Sequence, residues 1–186
     1  MISMTWLVLR TTGIVALAML TVAAVIGIMS PALRRPTGRL TAISVHSAAA
    51  ATGVILLLGH IVLAIADAYV EVPPAAAVVP GMSVWEPLWV GVGTVAFDLF
   101  LLVMITSLTR LRAPVLWRRV HFASYGALLL AWTHALMVGT DGGSRAFQVA
   151  ACVSLAAVGL AIVVRQSRPT RRPAAAPERP LVGVRS

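Results

Sequence analysis

The chain has 186 residues, of which 59% are hydrophobic and only 11% charged, and its mean hydropathy of +0.92 leaves too little polar surface to cover a soluble globule. The formal net charge of +9 would point to nucleic acid if it formed one polar face, but the fifteen basic residues, all arginine, fall in the gaps between apolar runs and so read as a topology signal. A single cysteine, Cys152, excludes an intrachain disulfide, a CxxC redox pair and an iron–sulfur cluster, so any redox chemistry needs a bound cofactor.

In chain order, the first apolar run covers residues 11–30, with Arg10 before it and Arg34, Arg35 and Arg39 after it. A cleavable signal peptide would carry its positive charge first, a shorter apolar core and a small-residue cleavage site, so this run is read as a retained helix with its N-terminus outside. The second run, residues 42–66, contains His46 and His60 and ends at Asp67 and Glu71. After the proline-rich stretch EVPPAAAVVPGMSVWEP comes the third, 88–109, with one acid inside it, Asp98. The fourth, 120–139, contains His121 and His134, and the fifth covers 146–164. Each run is near the roughly 20 residues that a bilayer core of about 30 Å requires at about 1.5 Å per residue. The expected fold is therefore all-α, an integral membrane bundle of five transmembrane helices over residues 1–166. Residues 167–186 are rich in arginine and proline and are expected to form a disordered cytoplasmic tail in reach of anionic lipid.

Thirteen of the fifteen arginines lie in segments 31–41, 110–119 and 165–186, which alternate correctly to share one face, and only Arg10 and Arg145 lie on the other. By the positive-inside rule those three segments are cytoplasmic, in a multi-pass protein of the cell membrane. No GxGxxG or GxxxxGK stretch occurs, so the chain carries no nucleotide-binding fingerprint of its own.

All four histidines lie in the second and fourth runs. An imidazole in hydrocarbon is costly unless it binds something. Both runs head from the cytoplasm outward, so His46 and His121 fall near the inner edge and His60 and His134 near the outer one. Their separations of fourteen and thirteen residues correspond to about 21 and 20 Å of helix rise. Two layers result, each with one imidazole from each helix, which is the facing pair that axial ligation of a haem iron needs. Small residues, Ala48 to Ala51, Gly53, Gly59, Ala123 and Gly126, are read as leaving room for a flat macrocycle. One difficulty stands: at about 100° per residue, a thirteen-residue separation puts His121 and His134 on faces about 140° apart, so either the fourth helix is wound, bulged or tilted or the two haem planes are rotated relative to each other.

Several other residues have two readings each. Arg10 sits near the depth of the outer layer and either pairs with a propionate or snorkels at a helix end. Arg118 and Arg119, with Trp117, either contact inner propionates or anchor the helix at the interface. Asp98 is a functional candidate or a neutral acid. Phe122, Tyr125 and Trp132 are read as packing rather than electron relays.

The stretch TSLTRLRAPVLWRRVHFASYGALLLAWTH resembles the ferric reductase transmembrane domain, the superfamily of NADPH oxidases, ferric reductases and the haem-binding membrane subunit of methionine sulfoxide reductase systems. The residues carrying the resemblance are Thr106, Ser107, Trp117, Arg118, Arg119, His121, Tyr125 and His134, with His46 and His60 before them, over roughly residues 40–145. Fourteen-then-thirteen spacing is that superfamily's pattern. The resemblance implies two b-type haems, one between His46 and His121 and one between His60 and His134, and electron transfer across the membrane. It implies a separate flavoprotein or a quinol as donor, because no dehydrogenase domain is attached. The acceptor is expected at the outer haem, roofed by the loop from Val72 to Pro87, whose apolar, Trp85-bearing character suits the membrane interface. The alternatives are a quinone-linked dihaem anchor of a respiratory enzyme, and a haem-free transporter or scaffold.

Overall fold

A computed structural model describes residues 4–33, 35–67, 70–139 and 141–167. Every regular element among them is helical: α1 (Met4–Met29) running into a 3₁₀ turn (Ser30–Ala32), α2 (Pro36–Ala66), a second 3₁₀ turn (Pro74–Ala77), α3 (Pro87–Leu108), α4 (Pro114–His121), α5 (Ala123–Val138) and α6 (Arg145–Gln166). Proline opens α2, α3 and α4, where its missing N–H is one of the first-turn donors that has no partner anyway. Ser144 caps α6, its hydroxyl accepting the Phe147 N–H at 3.2 Å.

Four helices among the described residues are long and apolar enough to cross a membrane: Met4–Ala32, Pro36–Ala66, Pro87–Leu108 and Arg145–Gln166. They match the first, second, third and fifth expected runs, with α1 and α2 each starting six or seven residues earlier than the apolar pattern alone indicates. The expected fourth helix is not continuous. It is divided at Phe122 into α4 and the 16-residue α5, whose rise is about 24 Å. Around the break the ladder tightens, with the Tyr125 N–H bonded to the Phe122 carbonyl at 3.2 Å and the Ser124 hydroxyl taking the His121 carbonyl at 2.7 Å. Phe122 itself keeps right-handed helical angles (φ −64°, ψ −24°), so the break is a single tightened turn. The expected tail lies, from residue 168 onward, outside the described residues.

Two antiparallel pairs organise the bundle, α1 along α2 and α3 along α5. The pairs join through a core of Leu17 and Leu20 from α1, Phe100 from α3, Ala127, Leu128 and Trp132 from α5, and Ala151 from α6. The Trp132 indole N–H reaches the buried Thr21 hydroxyl at 3.3 Å, so this aromatic is packed and hydrogen-bonded as expected of a packing residue. In contrast α2 buries only Gly53, against Leu20 and Ala16 of α1. That glycine serves helix contact rather than a cofactor gap, whereas an added Cβ at Gly59 or Gly126 would meet nothing within 4 Å. Because α2 leans on α1 and α5 on α3, a cavity is left between the two pairs, lined by His60 of α2 and His134 of α5.

Candidate functional site

The four histidines come together as two pairs. His46 of α2 faces His121 at the end of α4, with ring centroids 6.1 Å apart and ring planes 64° apart. His60 of α2 and His134 of α5 line one cavity of about 330 Å³, within the usual range of about 300–1,000 Å³ for small-molecule and cofactor sites. His46 is thus level with His121 and not with His134.

Three of the imidazoles are held in the same way. The Nδ1–H of His46 donates to the Ala23 carbonyl at 2.7 Å, that of His60 to the Leu9 carbonyl at 2.9 Å, and that of His134 to the Trp89 carbonyl at 2.9 Å. A carbonyl only accepts, so each bond fixes the proton on Nδ1 and leaves Nε2 with a bare lone pair. Against each ring lies a glycine of the neighbouring helix, four residues beyond the accepting carbonyl: Gly27 for His46, Gly13 for His60 and Gly93 for His134. An added Cβ would stand 2.9 Å from His46, 2.8 Å from His60 and 2.6 Å from His134. Within a helix each of these carbonyls already bonds the N–H four residues on. The glycine removes the side chain that would cover that oxygen, and so lets an imidazole reach its second lone pair.

Sequence reasoning assigned these histidines to two layers but missed the glycines. The signal was present: Gly13 and Gly27 are fourteen residues apart, the same spacing as His46 and His60 on the antiparallel partner.

His121 differs. Its Nδ1 is buried without a hydrogen-bond partner among the described residues. Its ring lies against Trp117, centroids 5.3 Å apart and planes 39° apart, and the Trp117 indole N–H is in turn tied to Ser107 of α3 at 3.2 Å.

The geometry of the first pair tests which group it fits. Two imidazoles bonded directly, nitrogen to nitrogen, would bring their centroids to about 5.2 Å, from a hydrogen bond of about 2.9 Å and ring radii of about 1.15 Å. Two imidazoles on opposite sides of a metal, with nitrogen–metal bonds of about 2.0 Å, would separate them by about 6.3 Å. The observed 6.1 Å, with the ring planes 64° apart, leaves room for the second case and also falls within the range of about 4.5–7 Å of edge-to-face ring packing. No cluster of three or more His, Cys, Asp or Glu side chains able to hold a metal ion occurs among the described residues. A haem iron, supplied with four nitrogens by its own macrocycle, asks the protein for two axial donors only.

Arg10 forms an ion pair with Asp141, joining α1 to the segment between α5 and α6, and its guanidinium lies 4.7 Å over the Trp6 ring. It also lines the His60–His134 cavity, as do Asp67, Asp141, Val72, Ala76 and Trp85. The loop before α3 is fastened over this end by the Thr94 hydroxyl, which donates to the Ala76 carbonyl at 2.6 Å. Arg118 and Arg119 are exposed on α4. Asp98 is half-buried on the face of α3 that carries the exposed Val95, Leu102 and Ile105, and does not line the histidine cavity.

No protein-family model matches the chain, and neither a curated protein nor a solved structure is found similar to it.

Proposed function

We propose that the chain is a membrane cytochrome, the transmembrane subunit of an oxidoreductase, which holds two b-type haems and carries electrons between a cytoplasmic donor and an acceptor outside. The observation that carries this reading is the repeated cradle: three of four imidazoles, in two facing pairs, are fixed by a carbonyl and a glycine with Nε2 left bare. Hydrogen-bonded packing histidines would direct both nitrogens to partners; here the second nitrogen is kept available.

In this reading His46 with His121 and His60 with His134 would hold the two haems, which would supply reversible one-electron carriers. The protein keeps the pairs about 20 Å apart along the helices, fixes the imidazole tautomers and surrounds the pairs with apolar side chains. Arg10 offers a cation to a propionate at the His60–His134 layer, held ready by Asp141 and Trp6. Arg118 and Arg119 do the same at the other layer or bind lipid headgroups. With the N-terminus outside and the α4–α5 unit counted as one broken span, the arginine-rich ends of the helices are cytoplasmic. His46 and His121 then form the inner layer and His60 and His134 the outer one, near Trp85 and the loop ahead of α3. The donor is a flavoprotein or a quinol, and the acceptor is reached at the outer layer.

Purified protein in lipid nanodiscs tests the direction and the donor. Haem absorbance is followed after addition of NADPH with a soluble flavin reductase, or of a quinol. Reduction by the flavin system alone supports the oxidoreductase subunit; reduction by quinol alone makes the chain a quinone-linked anchor. A preparation without haem contradicts both.

A further inference from the structure

Resting on the haem reading above, the inequality among the four imidazoles has a chemical meaning of its own. We propose that His121 is the displaceable ligand of the set, so that the inner iron, in its ferrous state, is a binding site for a small neutral diatomic ligand of the carbon monoxide class while the outer iron is closed to it.

Four observations lead there. His46, His60 and His134 each have the Nδ1–H···O=C bond and the glycine behind it, whereas Nδ1 of His121 has no hydrogen-bond partner among the described residues. Second-sphere partners of this kind are worth about 10- to 100-fold in metal affinity. His121 is also the last residue of the eight-residue α4, next to the break at Phe122, whereas the other three lie inside continuous helices. Its restraint is an aromatic contact with Trp117, which limits where the ring lies without fixing a nitrogen.

The test uses the full-length protein in detergent or nanodiscs, reduced with dithionite, with haem per chain determined on the same sample. Carbon monoxide is titrated in and followed by difference absorbance. The expected result is one carbon monoxide per two haems, retained in the double variant His60→Ala/His134→Ala and lost in His46→Ala/His121→Ala. A wild-type protein with two haems that binds no carbon monoxide, or binds it equally at both, overturns the proposal. So does binding that survives in His46→Ala/His121→Ala. A wild-type protein without haem would instead overturn the functional reading on which this one rests.

Discussion

Replacing Gly93 by alanine separates damage to the haem site from damage to the fold. The new Cβ would stand 2.6 Å from Nδ1 of His134 and 2.9 Å from both Cγ and Cε1, and real Cβ atoms essentially never approach closer than 3.0 Å. To reach ordinary contact at 3.4 Å the ring must retreat by about 0.8 Å. A 2.9 Å bond to the Trp89 carbonyl lengthened by that amount is about 3.7 Å, and no longer a hydrogen bond. Losing such a partner lowers metal affinity by about 10- to 100-fold, or about 1.4–2.8 kcal/mol. Alanine in place of glycine inside a helix works the other way on the fold, adding roughly 0.5–1 kcal/mol to helix stability. The account therefore predicts an apoprotein whose thermal unfolding is unchanged or slightly raised, with weaker binding of one haem in a titration with hemin. Gly159→Ala is the control, because its Cβ meets nothing within 4 Å. Unchanged haem affinity in Gly93→Ala, or equal weakening at both haems, would refute the cradle argument.

The other glycines should divide by layer: Gly13→Ala, whose Cβ meets His60, is expected to weaken the outer haem, and Gly27→Ala, whose Cβ meets His46, the inner one, each readable by haem-resolved redox titration. Replacing His60 or His134 by alanine should remove one haem per chain and leave the other, since the layers are about 20 Å apart; loss of both haems would mean that the layers are not independent. Asp141→Asn breaks the ion pair with Arg10, at side chains 22% and 31% exposed, and should lower stability by about 1 kcal/mol or less while leaving haem content intact. Trp132→Ala removes a buried core aromatic and its bond to Thr21, and should cost about 3–5 kcal/mol in thermal unfolding of the apoprotein, far more than any of the glycine changes. A reporter fused after Gln166 is expected to register as cytoplasmic, and an outside signal would reverse the assignment of inner and outer layers.

The apolar runs were readable because hydrophobicity and length set a membrane helix almost alone, and four of them recur as helices within a few residues of their expected limits, except where α1 and α2 extend further at their starts. The histidine layers were readable for a similar reason, since a rise of 1.5 Å per residue fixes depth without knowledge of packing. What depends on a neighbouring helix was not. Gly13, Gly27 and Gly93 act through carbonyls of their own helices on rings from another, and the one mark of that encounter is the fourteen-residue spacing of Gly13 and Gly27, which is legible only once their helix is known to lie along that of His46 and His60. The same holds for Arg10, whose partner Asp141 is far away in sequence. Gly53 looked like room for a macrocycle because small residues serve both purposes, and only the position of Leu20 shows that it serves helix contact. The break at Phe122 was not legible, since Phe122 carries none of the usual breaker chemistry.

The most direct test of the central claim is the haem content of the full-length protein, purified from a haem-replete expression host, by pyridine haemochrome against protein mass and by low-temperature electron paramagnetic resonance of the oxidised state. The account predicts two b-type haems per chain, both low-spin with two axial imidazoles. A protein that is folded by thermal unfolding yet carries no haem, or carries one haem that survives replacement of all four histidines, would contradict it.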